Sequence, residues 1–287
     1  MKRALLMGAS QWFYPGVTDM PGLVEGNVLL DYRTLTRVFG FDEIRCCTNN
    51  AFTKPNCINK LKWITDVTGP GDVAYISALT HGGLIDVTSR PDWAQPAEDT
   101  KETTWITIEP DPFADPLLGY EIGSIVRTIH PEATTFFMFG GCHAGGGLRS
   151  FDDNNNLKMD RVPMSVPTPK EYLTNNIDTE SWDEIFNVKI EGSIINRDII
   201  NETRYNEIIY LGATSKESVA WAGYICGGFY AYMNFFYHQI LTDYKGSITY
   251  RDLYNELIVR LDSVSPPLYQ VPQLECKNDK VDRLFLR

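Results

Sequence analysis

The sequence predicts an α/β fold in which helices cover both faces of a mostly parallel central sheet. In the first half of the chain, short apolar segments typical of buried strands alternate with amphipathic segments of helical spacing. Glycine-rich segments follow two of these strands, one after Leu79 and one after Phe139. In sheets of this kind ligands bind at the carboxyl ends of the strands, so we expect the functional site there.

The elements of the first half are predicted from apolar spacing and from capping residues. Residues 3–7 form a short apolar strand that ends at Gly8, and residues 54–65 have the spacing of a helix. Thr53 can cap that helix, and Pro55 suits its first turn. The other predicted strands are residues 43–47, 72–79 and 134–139, and the other predicted helices are residues 26–38 and 119–129.

The second half of the chain is less regular. Residues 150–204 contain a run of aspartate and asparagine and several prolines, which predicts a long loop or insertion with small pieces of structure. Regular spacing returns at residues 206–212, which we expect to be a strand. Two helices are predicted after it, at residues 228–241 and 249–261.

Length and charge limit the class of protein. The 287 residues predict a single domain, with a first part at 1–149, the insertion at 150–204 and a last part at 205–287. Lys and Arg number 26 against 37 Asp and Glu, a formal net charge of -11, which disfavours nucleic acid as a partner and favours a cationic ligand or substrate. The six cysteines are too few for a disulfide framework and show no CxxC spacing, so a zinc site is not expected.

One apolar stretch is long enough to cross a membrane. Residues 219–241 contain no charged side chain, and a bilayer span takes about 20 residues. A Gly227-Gly228 break inside the stretch and polar Asn234 and His238 near its end favour a buried core helix instead. The apolar run behind the basic N-terminus is too short for a secretion signal, so we expect a cytoplasmic protein without membrane contact.

Two residues in the glycine-rich segments have the chemistry of a cysteine hydrolase. Cys142 follows a buried strand and is surrounded by glycines, whose exposed backbone N–H groups can lower a thiol pKa and bind an oxyanion. Such an enzyme also needs a histidine close in space to accept the thiol proton. His81 follows a predicted strand that is adjacent or nearly adjacent to the one before Cys142 and meets this requirement, and Gly82 beside it permits close approach of the main chain.

The ordered set of these motifs resembles the caspase-like cysteine peptidases, and most closely the metacaspases. The histidine of that family lies in a Ser-Gly-His-Gly turn and its cysteine in Asp-x-Cys-His-Ser-Gly. The resemblance covers nearly the whole chain outside residues 150–204. It is carried by Lys2–Gly8, Gly40-Phe41, Thr48-Asn49-Asn50-Ala51-Phe52-Thr53, Gly71-Asp72, His81-Gly82, Cys142-His143-Ala144-Gly145, Gly227-Gly228-Phe229, Ile248-Thr249-Tyr250-Arg251-Asp252-Leu253 and Gln270-Val271-Pro272-Gln273-Leu274.

The resemblance implies a caspase-like three-layer sandwich and a cysteine endopeptidase. Cys142 would be the nucleophile, His81 its general acid/base, and the backbone N–H groups of Gly82 and Cys142 the oxyanion hole. It also implies a peptide or protein substrate and chemistry that needs no cofactor. We expect a monomer.

Two positions depart from the family pattern in the pocket for a basic substrate residue. The aspartate two residues before the cysteine is Gly140 here, and the serine two residues before the histidine is Leu79. Asp111 is the acidic residue that matches the family pocket, so substrate binding is assigned to Asp111 and Gly140, and cleavage after Arg or Lys is expected. Calcium activates many metacaspases, and the resemblance makes Asp111, Asp115, Asp152 and Asp153 candidate ligands; the alternative is that they are solvated loop acids.

Two alternative functions are also consistent with the sequence. Gly140-x-Cys142-x-Ala144 imitates the nucleophile elbow of α/β-hydrolases, in which His238 would be the base. Alternatively, the chain is a caspase-like scaffold that binds partners without cleaving them.

We expect His143 to line the pocket or serve the structure, His130 to lie at the surface or cap a helix, and His238 to be a satisfied core residue. Four basic residues of the insertion are candidate self-cleavage points, namely Lys158, Arg161, Lys170 and Lys189.

Overall fold

The computed structural model describes nine stretches of the chain. These are residues 1–14, 17–86, 101–112, 114–142, 200–201, 208–214, 220–263, 270–276 and 278–287.

Twelve strands lie in the described part of the chain, and several extend the predicted ones by a residue or two. They are β1 (Lys2–Gly8), β2 (Glu43–Thr48), β3 (Val73–Leu79), β4 (Gly82–Asp86), β5 (Lys101–Trp105), β6 (Leu117–Leu118), β7 (Thr134–Phe139), β8 (Ile200–Asn201), β9 (Ile208–Gly212), β10 (Ala222–Ile225), β11 (Gly228–Ala231) and β12 (Gln273–Glu275).

Helices connect the strands as the sequence predicts for the first half. Thr53 precedes the second helix without capping it through its side chain, whereas Thr249 caps the fifth helix by accepting a hydrogen bond from the Asp252 N–H. The helices are α1 (Leu23–Arg37), α2 (Lys54–Val67), α3 (Gly119–Val126), α4 (Tyr232–Asp243), α5 (Tyr250–Asp262) and α6 (Asn278–Val281).

The central sheet is mostly parallel, as predicted. Its seven strands stand in the order β2-β1-β3-β7-β9-β12-β8. All neighbours from β2 to β9 pair in parallel; β12 runs antiparallel to β9 and parallel to β8. Two small antiparallel sheets, β4-β5-β6 and β10-β11, accompany it.

Adjacent side chains on β7 show that both faces of the sheet are covered. Successive residues of a strand point to opposite faces. Phe136 packs against Tyr237 of α4 and Tyr250 of α5, and α1 packs against α4 on that side. Phe137 packs instead against Trp105 of β5. Strand β5 contacts α3, and α3 packs against α2, so these helices cover the other face. The predicted α/β fold class, with helices on both faces of a mostly parallel sheet, is therefore confirmed.

The apolar stretch at 219–241 differs from the predicted helix at its start. Cys226 and Gly227 both have positive φ angles, 49° and 83°, which gives a two-residue turn between β10 and β11. The helix therefore begins at Tyr232, four residues later than predicted. Within the described residues, no helix is both long and apolar enough to cross a membrane.

The end of the predicted insertion belongs to the central sheet. Ile200 and Asn201 form β8, which pairs with β12 at the edge. Residues 150–199 lie outside the described part of the chain.

Candidate active site

The carboxyl ends of β3 and β7 meet at one edge of the central sheet. These strands are parallel neighbours, with Ala78 opposite Phe139. Because His81 follows β3 and Cys142 follows β7 at nearly the same distance, the pairing carries both residues to the same edge. The sequence predicts this placement.

The main chains of the two segments touch, and the contact requires glycine. A Cβ atom placed on Gly82 would lie 1.8 Å from the Cys142 carbonyl oxygen. One placed on Gly141 would lie 2.6 Å from the Thr80 carbonyl oxygen. No side chain fits at either distance, so the backbones can approach this closely only without a Cβ. The His81-Gly82 turn is thereby held directly against Cys142.

His81 is a buried imidazole held by backbone and by an aromatic ring. Its Nε2 lies 2.8 Å from the Thr18 carbonyl oxygen, and the ring centroid lies 4.4 Å from that of Trp12. Since a carbonyl can only accept, Nε2 carries the proton and Nδ1 is left as a base. Burial lowers the pKa of His81, with the Thr18 carbonyl and the Asp19 charge acting against it. The ring is therefore neutral at pH 7.

Cys142 is a buried, protonated thiol. Only 5% of the residue is exposed, and Sγ lies 3.7 Å from the Ala220 carbonyl oxygen. Burial raises the pKa of this thiol to about 11. Among the described residues, no hydrogen bond joins the His81 ring to the thiol. The two groups thus rest as a neutral pair, each held by a carbonyl oxygen.

A loop between β1 and α1 supports His81 and was not identified from the sequence. The Trp12 N–H donates to Asp19, and its indole Nε1 donates to the Ile106 carbonyl oxygen at 2.9 Å. Ile106 in turn donates its N–H to the His81 carbonyl oxygen. Ser10 anchors the loop to α1, because its hydroxyl accepts from the Val24 N–H. The partner of His81 is a backbone carbonyl, Thr18, which has no signature in side-chain patterns.

The two positions that depart from the family pattern contact each other. A Cβ atom placed on Gly140 would lie 2.4 Å from Leu79 Cδ1 and 3.1 Å from Asn234 Oδ1. Leu79 thus fills the space into which a side chain at position 140 would extend. Asn234 is 1% exposed, and neither polar atom of its amide has a hydrogen-bond partner in the described part of the chain.

The acidic residues proposed for substrate or calcium lie in a turn after β5. Asp111 is exposed, and its Oδ1 accepts from the Ala114 N–H at 3.2 Å. Asp115 pairs with the Lys54 ammonium at 2.7 Å, and Glu121 pairs with it at 3.1 Å. No group of three or more His, Cys, Asp or Glu residues is placed to hold a metal ion in the stretches described. Asp152, Asp153 and His143 lie outside the described residues.

His238 and His130 both have structural partners. His238 is fully buried; its Nδ1 lies 3.0 Å from Thr34 Oγ1 and its Nε2 3.0 Å from Asp31 Oδ1. Both ring nitrogens therefore face α1, which leaves none to act on Cys142 as the α/β-hydrolase alternative requires. The His130 ring accepts from the Glu132 N–H in the turn before β7.

The fold and this edge of the sheet define an α/β protein with a buried Cys–His pair at the strand ends. Comparison with known proteins adds only the fold. No model of a protein family and no curated protein matches the sequence.

The solved structures that are similar to this chain include two that align with most of it. A protein from Geobacter sulfurreducens is 14% identical, with a TM-score of 0.59 over 98% of this chain and 97% of that one. Caspase-1 from Spodoptera frugiperda is 11% identical, with a TM-score of 0.47 over 96% of this chain and 88% of that one.

Proposed function

We propose that the chain is a caspase-like cysteine endopeptidase in which Cys142 is the nucleophile and His81 the general acid/base. The observation that carries the proposal is the contact between Gly82 and the Cys142 main chain, which no residue with a Cβ could make. This contact holds the histidine turn, the thiol and two backbone N–H groups at one sheet edge. Those are the parts that thiol-dependent acyl transfer needs.

The neutral resting pair dictates how the reaction starts. When a peptide carbonyl enters the site, His81 Nδ1 takes the Cys142 proton as Sγ attacks the carbonyl carbon. The N–H groups of Gly82 and Cys142 donate to the oxyanion of the tetrahedral intermediate. The C–N bond then breaks, and the leaving amine takes the proton from His81. Water, deprotonated by His81, hydrolyses the thioester and restores the thiol.

The proposed substrate is a peptide bond that follows Arg or Lys. An acidic side chain near the site would pair with such a residue, and Asp111 is the candidate, with Gly140 as the second pocket position. The protein would act as a cytoplasmic monomer on peptides or proteins and not on nucleic acid. Two proposals concern calcium: if it is an activator, a chelator should lower the cleavage rate without unfolding the protein, and if the aspartates are solvated loop acids, a chelator should change nothing.

Peptide cleavage by matched variants tests the proposal. Cys142→Ala and His81→Ala should each abolish cleavage of peptides with Arg or Lys before the scissile bond. Cys276→Ala is the control, because Cys276 is also a buried free cysteine but lies after β12. A folded Cys142→Ala variant that cleaved at the wild-type rate would overturn the assignment. Cleavage after Leu at an equal rate would overturn the basic preference alone.

A scaffold without peptidase activity is the second candidate, because both reactive groups are buried and bound to carbonyl oxygens. An electrophilic peptide probe separates the two functions. A peptidase should label rapidly at Cys142, and prior binding of a substrate peptide should compete. A scaffold should label at Cys142 no faster than at buried Cys57.

A further inference from the structure

Gln270 is a buried glutamine whose amide joins two backbone segments. The residue is 3% exposed. Its Oε1 accepts a hydrogen bond from the Trp221 N–H at 3.0 Å, and its Nε2 donates to the Ala213 carbonyl oxygen at 3.1 Å. One end of the amide therefore holds the segment before β10, and the other holds the segment after β9.

Both of these segments lead back to Cys142. Ala213 donates its N–H to the Phe139 carbonyl oxygen at 2.9 Å, at the end of the strand that precedes Cys142. Ala220, next to Trp221, supplies the carbonyl oxygen that faces the thiol. The contacts thus form a closed ring that starts at the end of β7, passes through the Gln270 amide, and returns to Cys142.

The two hydrogen bonds require an amide. One partner is a donor and the other an acceptor, and a side-chain amide supplies the matching acceptor and donor in a single rigid group. An apolar side chain of the same length would leave the Trp221 N–H and the Ala213 carbonyl unpaired in a buried place. An ionised carboxylate would direct an oxygen at the Ala213 carbonyl without a proton between them.

We propose that Gln270 is a positioning residue for Cys142, which holds the Ala220–Trp221 backbone so that the Ala220 carbonyl fixes the thiol. The inference rests on the proposed function only in taking Cys142 as the nucleophile. The amide sets the orientation from which the thiol attacks, and it keeps the thiol covered and protonated until substrate arrives. Gln270 does not touch the reacting atoms.

Site-resolved alkylation tests the role without a substrate. Wild type and Gln270→Met are treated with iodoacetamide across a pH series, and the modified peptides are quantified by mass spectrometry. Gln270→Met should alkylate Cys142 at least about tenfold faster near pH 8, with the rise in rate shifted to lower pH, because a less covered thiol loses part of the burial that raises its pKa. Buried Cys57 and Cys276 serve as internal references and should keep their wild-type rates.

Gln273→Met is the matched control. Gln273 is a buried glutamine three residues further along, and its Nε2 donates to the Pro272 carbonyl oxygen at 3.1 Å. The same substitution there removes a similar bond without touching Trp221, so the Cys142 profile should not change. An unchanged profile in Gln270→Met would overturn the proposal. Equal acceleration at all three cysteines would also overturn it, because that result reports general loosening.

A second variant keeps the test decisive if Gln270→Met does not fold. In Gln270→Glu the protonated carboxyl can make both hydrogen bonds and the ionised one cannot. Its Cys142 alkylation should match wild type near pH 5 and exceed it at pH 8, and a constant ratio would contradict the proposal. Peptide cleavage is measured in parallel. If the Gln270 variants alkylate Cys142 as wild type does, the role of Gln270 is refuted. If wild type does not cleave peptides, only the proposed function is refuted.

Discussion

At the scale of single residues, Gly82 is the position where one added atom should matter most. A methyl group there would overlap the Cys142 carbonyl oxygen. We expect Gly82→Ala to lower the free energy of unfolding by about 1–3 kcal/mol and to lower kcat/KM by about a hundredfold or more, because the two segments must separate. Urea unfolding and peptide cleavage measure the two effects.

Gly69 provides the control for that substitution. A Cβ there would meet only Asp72 Oδ2, at 3.9 Å, which is ordinary contact. Gly69→Ala should therefore leave both quantities close to wild type. Equal losses in the two variants would show that the site contact has no special role.

The buried thiol makes stability depend on pH at the alkaline end. The pKa of Cys142 is raised from 9.0 to about 11 in the folded protein, so its contribution to stability is complete below about pH 9 and is lost as the pH rises toward 11. Wild type should lose about 2 kcal/mol more than Cys142→Ala between pH 8 and pH 11. Urea unfolding of both proteins under reducing conditions measures this, and parallel curves would contradict it.

Some residues of the site could be identified from the sequence, and others could not. Cys142, His81 and Gly82 could be identified because a reactive side chain stands among glycines after an apolar strand. Thr18 could not, since it acts through a backbone carbonyl that every residue possesses. The placement of these residues follows from the structure, whereas their catalytic roles stay predictions.

At the scale of elements, the ends of β3 and β7 are adapted to each other. Gly140→Asp should be destabilising, because the new Cβ meets Leu79 Cδ1. Leu79→Ser should recover part of that loss by making room, so that the two changes differ from additivity by about 1 kcal/mol or more. Urea unfolding of the two single variants and the double variant measures the coupling, and strictly additive effects would contradict it.

The apolar stretch before α4 shows why element type was harder to predict than element position. A continuous apolar run does not distinguish a strand from a buried helix. The turn at Cys226-Gly227 depends on left-handed backbone, which Gly227 adopts readily and Cys226 rarely does. Strands β8 and β12, of two and three residues, are too short to show a hydrophobic period in the sequence. Only their pairing with neighbouring strands defines them.

At the scale of the whole molecule, a buried polar network ties α1, α4 and β3 together. Asp31 accepts from the Tyr75 hydroxyl at 2.5 Å and lies 3.0 Å from His238, and all three side chains are buried. Burial is the main cause that raises the pKa of Tyr75, which therefore stays a hydrogen-bond donor. The parallel pairing of the strands was predictable from the alternation of elements, but the strand order was not, and this network joins residues that are far apart in sequence.

Removal of one member of the network should be costly. His238→Leu removes the ring that lies 3.0 Å from the buried Asp31 carboxylate, which keeps the Tyr75 hydroxyl, and should lower the free energy of unfolding by about 1–3 kcal/mol. The double variant with Asp31→Leu should recover part of the loss. The folded single variant should still cleave peptides. Urea unfolding measures the loss of stability, and an assay at low temperature measures cleavage by the folded variant. Loss of cleavage with the fold intact would instead support His238 as the catalytic base.

The pairing of β7 with β9 has a consequence for a chain that is cut between them. β1, β2, β3 and β7 precede the insertion, whereas β9 and β12 follow it, and all belong to one sheet. A single break after any of the four basic residues named above would leave two polypeptides that share this sheet and the aromatic contacts of Phe136 with Tyr237 and Tyr250. The nicked protein should behave as a heterodimer that co-elutes as one particle and separates only in denaturant, because strands from both sides of the break belong to one sheet.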